Sequence, residues 1–297
     1  MICVGVDAGG SGTHVAVSRD GVPVREMHAE RANVTTAGAQ AAGAVIVGAV
    51  RAVLDGERPD AIYVGAAGAG RAASARALEQ LIAAAFPGAL IVVGDDATIA
   101  LRAAIPSGDG AVLIAGTGSV AFAVHGRRGE RRGGLGHLAG DEGSGFWIGM
   151  QAVKLYGRVL DGRAPADETS ARVAELLGVR ERDEFIEAVY GTPVQPADIA
   201  ALAPDILALA GTGNRASTKI VQQAAQELGD LLRATLRAVD LVDASPAVAF
   251  AGGLLRENSL LTFLLETRLI GDVAGITILR GGEEPVHGAL RLAQALR

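Results

Sequence analysis

The residues Asp7-Ala8-Gly9-Gly10-Ser11-Gly12-Thr13 separate two apolar runs, Ile2–Val6 and His14–Ser18. Three phosphate-binding designs can be weighed against such a glycine cluster. A dinucleotide fingerprint needs a helix directly after its glycines. The alternating His14-Val15-Ala16-Val17 predicts a strand instead. A Walker loop needs Gly-Lys-Ser/Thr, and the only lysines are Lys154 and Lys219. What remains is a β-hairpin whose tip turns backbone N–H groups toward an anion, with glycine allowing close approach. Ser11 and Thr13 could add hydroxyl donors. Asp7, at the end of the first run, would point at the same spot and could hold a hydrated Mg²⁺. Alone, the segment reads equally well as an ordinary glycine-rich turn.

A second turn, Gly116-Thr117-Gly118-Ser119, follows the apolar run Ala111–Ala115 and precedes Val120–Val124. Two such tips facing across a cleft would grip the β- and γ-phosphates of a nucleotide from both sides. A glycine pair, Gly252-Gly253, follows Ala247–Ala251. It would let a ribose or adenine lie on bare backbone, although alone it is better read as a plain tight turn. Gly94-Asp95-Asp96-Ala97 follows Leu90–Val93 and opens a helix. Ligand groups gather at the carboxyl ends of strands in α/β sheets, so an aspartate there can take a proton from a substrate hydroxyl, while its neighbour can cap the helix. Finally, Gly133-Gly134-Leu135-Gly136-His137-Leu138-Ala139-Gly140-Asp141-Glu142-Gly143-Ser144-Gly145 is a glycine-rich loop with two acids. They suit polyol recognition, or equally serve as acids at a helix start. His137 reads as a packed or surface histidine, and Trp147 as core.

The elements that must position these groups alternate. Strands at Ile2–Val6, His14–Ser18 and Val22–Met27 form an antiparallel meander. Helix Gly38–Leu54, strand Ala61–Gly65, helix Ala72–Ala85, strand Leu90–Val93 and helix Ala97–Ala104 follow. The strand–turn–strand pattern then repeats from Ala111. After it come a long helix Ser217–Asp240, strand Ala247–Ala251, helix Ser259–Thr267, strand Gly275–Leu279 and helix Val286–Leu296. The predicted organisation is a mixed α/β domain over residues 1–109 and a similar one over 110–284, divided at the Pro106–Gly110 cluster. The second carries a helical insertion at about 142–210. The closing helix, about 285–297, is expected to pack back on the first domain.

Composition narrows the function. Hydrophobic residues make up 49% of the 297 and aromatics 3%, so the cores must be built from Ala, Val, Leu and Ile. Net charge is −6, and the longest basic clusters are Arg127-Arg128 and Arg131-Arg132, read as a solvated hairpin rim. No nucleic-acid partner is expected. The single cysteine, Cys3, lies in an apolar strand and leaves zinc and iron–sulfur sites without their usual ligands. The longest apolar runs, Ala41–Val50 and Ala111–Gly116, fall short of the ~20 residues of a membrane span. No basic-then-apolar leader opens the chain. A soluble cytoplasmic protein without a membrane partner is the expectation.

Together these residues resemble the N-acetylglucosamine kinase branch of the actin/hexokinase/Hsp70 superfamily, grouped with the BadF/BadG-type ATPases, over nearly the whole chain. Asp7–Thr13 is similar to the first phosphate motif, with Ala8 where glycine is usual. Ala66-Ala67-Gly68-Ala69-Gly70-Arg71 resembles the second-strand signature. Asp96-Ala97 resembles the Asn-Asp-Ala step that carries the catalytic aspartate, with Asp95 in place of Asn. Gly116–Ser119 is similar to the second phosphate motif, Gly140–Ser144 to the Gly-Asp-Glu-Gly-Ser stretch, and Ala251–Gly253 to the adenosine motif. Pro285–Ala289 resembles the start of the closing helix.

The resemblance implies a duplicated ribonuclease H-like fold, two domains around a nucleotide cleft, using ATP and Mg²⁺. Gly9, Gly10, Ser11, Gly12, Thr13, Gly116, Thr117, Gly118, Gly252 and Gly253 would meet ATP, and Asp7 the Mg²⁺ through water. Asn33, Gly134, Leu135, Gly136 and Asp141 would bind a small-molecule sugar. Asp96 would deprotonate the 6-hydroxyl of N-acetylglucosamine. Relatives often carry Trp where Leu135 stands, so glucosamine is an alternative acceptor, and a non-sugar ATPase or nucleotide sensor is another. A homodimer is expected from the relatives. The BadF-type activators of radical dehydratases bridge a dimer with an iron–sulfur cluster, which needs cysteines this chain lacks.

Overall fold

The computed structural model describes all residues except Ser11, 192–194, Gly281 and Arg297, and the side chains of Thr35 and Thr36 are likewise set aside. The chain divides into two compact units. One is Met1–Asp109 with Gly281–Arg297, and the other is Gly110–Arg280.

In the first unit β1 (Ile2–Ala8), β2 (Thr13–Arg19) and β3 (Val22–Ala29) form the meander. Then come α1 (Val34–Leu54), β4 (Ala61–Ala66), α2 (Ala72–Ala85), β5 (Leu90–Asp95) and α3 (Asp96–Ala104). The sheet order is β3-β2-β1-β4-β5, antiparallel through the meander and parallel from β1 to β5. β1 and β4 are almost wholly buried because both faces of the sheet are covered. On one face Val4, Val6, Val15 and Val64 meet Ile46 and Val50 of α1 and Leu78 and Ile82 of α2. β3 stands at the edge and is largely exposed. The apolar pattern predicts α1 from Gly38. The helix begins at Val34, and Gly38 breaks it with φ 79°. Short apolar runs hide a second property of α1: by length and composition alone, Ala37–Leu54 would suffice to cross a membrane. Here Ala42, Ile46, Ala49, Val50, Val53 and Leu54 bury it against the sheet.

The second unit runs β6 (Gly110–Ala115), β7 (Ser119–His125), β8 (Arg128–Gly133), α4 (Gly145–Leu160), α5 (Glu168–Leu177), α6 (Arg182–Tyr190), α7 (Pro196–Ala200), α8 (Ala203–Gly211), α9 (Arg215–Ala238), β9 (Ala247–Ala251), α10 (Leu260–Asp272) and β10 (Thr277–Leu279). Its sheet order, β10-β9-β6-β7-β8, repeats that of the first unit strand for strand. Helices α4–α8 fill the stretch between β8 and α9. Helix α9 packs through Ile220, Ala224, Leu228, Leu232 and Leu236, four apart along one stripe.

The closing helix α11 (Pro285–Gln294) belongs to the first unit. Val286, Ala289, Leu290 and Ala293 join Cys3, Ala16, Tyr63 and Ile99 on the second face of the first sheet. Two glycines permit this crossing. A Cβ on Gly5 would overlap the Leu290 backbone, and one on Gly288 the Ile99 carbonyl.

Candidate active site

The first glycine turn closes β1 onto β2. The Gly9 N–H donates to the Gly12 carbonyl at 2.9 Å. Ser11, expected here as a donor, lies outside the described residues. Thr13 is buried within β2, and its hydroxyl donates to the Glu30 carbonyl at 2.7 Å. It therefore fixes the meander rather than offering a hydroxyl donor at the turn. The connection from β3 to α1 is stitched to the turn: the Ala32 N–H donates to Gly9, and the Val34 N–H to Ala67. This brings Asn33 beside the turn, its Nδ2 3.6 Å from where a Cβ on Gly10 would stand.

Asp7 lies one residue before the end of β1, on the same sheet face as His14, its antiparallel partner in register. Burial pushes its carboxyl up to about 6, and the negative charges of Asp96 and Glu284 add to that. Asp95 and Asp96 separate in role. Asp95 is the N-cap of α3: its Oδ1 accepts from the Thr98 N–H at 2.8 Å and from the Thr98 hydroxyl at 2.6 Å. Asp96, the first helical residue, accepts from the Ala97 N–H next to it at 3.0 Å.

A His/Glu network borders these acids, and sequence spacing does not reveal it. His14 lies 3.1 Å from Glu26 through Nε2 and 2.9 Å from Glu284 through Nδ1. Its ring stacks on His28 at 4.0 Å. His287 lies 2.8 Å from Glu26, and the bond holds the Glu26 carboxyl below its ordinary range. Glu284 is 270 residues from His14 by number, so only the packing of α11 on the sheet brings them together.

In the second unit the Gly116 N–H donates to the Gly118 carbonyl at 2.9 Å, closing the same kind of turn. A Cβ on Gly116 would have nothing within 4 Å, so there is open space beside this turn. The Gly140–Ser144 stretch clamps this hairpin from behind. Asp141 is 9% exposed, and its Oδ1 accepts from the Ser119 N–H at 3.3 Å. The Gly136 N–H also donates to it. Desolvation raises its carboxyl against the pull of those two bonds. The Ser119 hydroxyl donates to the Glu142 carbonyl at 2.8 Å. The Gly145 and Phe146 N–H groups, at the start of α4, donate to the Gly116 and Thr117 carbonyls at 2.8 and 3.2 Å. Gly134, Leu135 and Gly136 are exposed, with Leu135 at 74%. His137 packs edge-on against Phe146 at 5.0 Å.

The pair after β9 divides. Gly252 has φ +89°, and a Cβ there would overlap the Ala115 carbonyl, so its glycine is required by the turn itself. Gly253 has nothing within 4 Å of its would-be Cβ, which leaves bare backbone for a ligand.

Mg²⁺ prefers oxygen ligands and usually keeps several waters, binding through one or two carboxylates. Asp7 fits that pattern, since burial and the nearby charges of Asp96 and Glu284 raise the cost of its own charge and a divalent cation would relieve it. Among the described residues no group of three or more His, Cys, Asp or Glu side chains is arranged to hold a metal.

Two sheets of the same strand order, each with a glycine hairpin closing its central strand onto the next, define the duplicated ribonuclease H-like fold of actin-like ATPases. The chain belongs to the BadF/BadG/BcrA/BcrD ATPase family, whose model matches residues 4–293. It is 29% identical over 303 residues to an N-acetylmuramic acid/N-acetylglucosamine kinase of Clostridium acetobutylicum, covering 98% of both chains. It is 26% identical over 312 residues to an N-acetyl-D-glucosamine kinase of Dictyostelium discoideum, covering 98% of this chain and 97% of that one. A solved structure from Chromobacterium violaceum, provisionally assigned as an N-acetylglucosamine kinase, superposes with a TM-score of 0.78 at 26% identity, covering 99% of each chain.

Proposed function

We propose that the chain is an ATP-dependent sugar kinase that transfers the γ-phosphate to the 6-hydroxyl of N-acetylglucosamine. The observation that carries the reading is the division of labour at Asp95-Asp96. One acid is spent on capping α3, and the next stands beside Asp7 at the carboxyl end of the sheet. The kinase names of the relatives support the same chemistry.

In this reading Asp96 accepts the proton of the attacking hydroxyl. A base of this kind contributes about 10²–10⁴ in rate, and the rest comes from positioning and charge stabilisation. Backbone N–H groups of Gly10 and Gly12 in the first unit, and of Thr117 and Gly118 in the second, are the phosphate donors of this reading, while the Gly9 and Gly116 N–H groups close their turns. Gly252 shapes the turn that exposes Gly253 to the nucleoside. Asp7 would hold Mg²⁺ through water. Mg²⁺ supplies neutralisation of phosphate charge when bound. Asn33 orients the sugar hydroxyls, and Gly134, Leu135 and Gly136 line the sugar's surroundings. Asp141 acts on them by fixing the loop, since its carboxylate is engaged by Ser119 and Gly136. The protein works in the cytoplasm as a homodimer, which light scattering of the full chain tests directly.

Leu135 favours a second reading. A leucine in place of Trp removes a flat surface for an acetyl group, so glucosamine is the alternative acceptor. A coupled assay of ADP release with N-acetylglucosamine, glucosamine, glucose, N-acetylmuramic acid or no sugar separates these. The proposal predicts release that depends on N-acetylglucosamine, with the product phosphate at carbon 6 by NMR. Sugar-independent release would make it a plain ATPase. Nucleotide binding without any turnover would make it a sensor.

A further inference from the structure

The carboxyl end of α4 borders a cavity of about 390 Å³ lined by Lys154, Arg158, Arg163 and Arg182, with one carboxylate, Asp161. Its floor is apolar, made by Leu160, Phe185 and Ile186. We infer that this cavity is a binding site for a small phosphate-bearing molecule with a carbon or ring face, separate from the two glycine hairpins. The inference goes beyond the kinase reading and does not depend on it.

Local structure explains why the cations meet. The Arg163 and Ala164 N–H groups both donate to the Arg158 carbonyl, at 2.8 and 3.2 Å, and Gly162 takes φ +69°. The chain after α4 therefore folds back and lays Arg163 alongside Arg158. Helix α6 is held on α4 by Phe185, which meets Tyr156 edge-on at 5.6 Å and sits against Gly157. Arg182, three residues before Phe185, is carried to the same place. Asp161 is already engaged: two Arg163 nitrogens donate to its Oδ2 at 3.2 and 2.7 Å, and Arg182 lies 3.8 Å from its Oδ1. Of the acids on α6, Asp183, Glu184 and Glu187, none lines the cavity, and Glu184 is taken by the Arg180 and Glu181 N–H groups. Among the described residues Lys154 and Arg158 have no ion-pair partner. They stand four apart on α4, where like charges repel.

Attraction to the helix dipole accounts for Arg158, in the last turn. It does not account for Lys154 a turn earlier, nor for arginines arriving from a loop and from another helix. A concave site of this volume falls in the range of small-molecule pockets, roughly 300–1,000 Å³. Planar guanidiniums and an ammonium above an apolar floor match a phosphate ester. One rigid helix of about 24 Å joins the cavity to the hairpin that Gly145 and Phe146 hold. A ligand here therefore touches the element that sets the Gly116–Gly118 backbone.

Titration calorimetry with pyrophosphate and glucose 6-phosphate tests the assignment. Exposed Lys154 and Arg158 can be removed without touching the core. The expected result is binding to the full chain that weakens at least tenfold in K154A/R158A and in Ile186→Glu, and is kept in Lys219→Ala. Ile186→Glu adds a carboxylate to the floor and leaves every cation in place. Equal affinity in K154A/R158A would send the anion elsewhere and overturn the site. So would the absence of binding to the unmodified chain at about 10 mM probe, a Kd beyond the weakest useful affinities.

Discussion

The two glycine hairpins are alike in backbone and unlike in charge. In both, the first glycine donates to the carbonyl of the last at 2.9 Å, and both close the central strand of a like-ordered sheet. Counting back from the final antiparallel pair, Asp7 and His14 of the first hairpin correspond to Ile114 and Val120 of the second. The first therefore carries its acid on the strand, where burial and two like charges oppose ionisation. The second has no acid of its own and receives Asp141 from a loop 22 residues beyond Ser119 in sequence, where backbone donors await it. Duplication preserved the hairpin backbone, while the acids differ in where they come from and what holds them.

Substitutions can break this contrast, beginning with the largest expected change in stability. Asp141→Ala leaves the Ser119 and Gly136 N–H groups without their acceptor and places Ala at φ 59°. It should cost about 2–4 kcal/mol in chemical denaturation. A loss of a few tenths would show that the loop does not hold the hairpin. Gly252→Ala should cost about 2 kcal/mol or more, because strain and overlap with Ala115 combine. Gly253→Ala should melt like the unmodified protein.

Asp7 should behave oppositely to Asp141. Its folded pKa of about 6 lies above the unfolded value of about 3.9. The folded state thus binds its proton more tightly, and stability present below pH 4 is lost as pH rises through 6. Asp7→Asn should then stabilise the fold by about 1–2 kcal/mol at pH 7.5, allowing for screening, and by almost nothing at pH 4. Equal melting shifts at the two pH values would contradict the buried charge. A smaller loss belongs to Asp95→Ala, about 1 kcal/mol for the lost cap, with turnover kept within a few-fold.

Much of this was legible before folding. The glycine turns declared themselves because the residues after them alternate as strands do. The duplication followed from the repeated strand–turn–strand, and β9 and α2 show the bounds that their apolar patterns predict. β8 was legible only as a hairpin rim: Arg128–Gly133 has no apolar alternation, and backbone pairing with β7 alone makes it a strand. The two aspartates at the junction of β5 and α3 were found by position, yet which one caps α3 depends on the Thr98 contact. His14 and Glu284 were invisible as partners, since nothing local in sequence forecasts where α11 crosses the sheet. The glycines that permit that crossing, Gly5 and Gly288, look like any others until the opposing backbone is in view.

The central claim is that the acids of the first unit perform the chemistry, with Asp96 as the base. Steady-state turnover and nucleotide affinity of Asp96→Asn test it most directly. The account predicts a kcat lower by about 10²–10⁴, with Kd for the nucleotide within about threefold of the unmodified protein, a change under 1 kcal/mol. Near-normal turnover in that variant would contradict it.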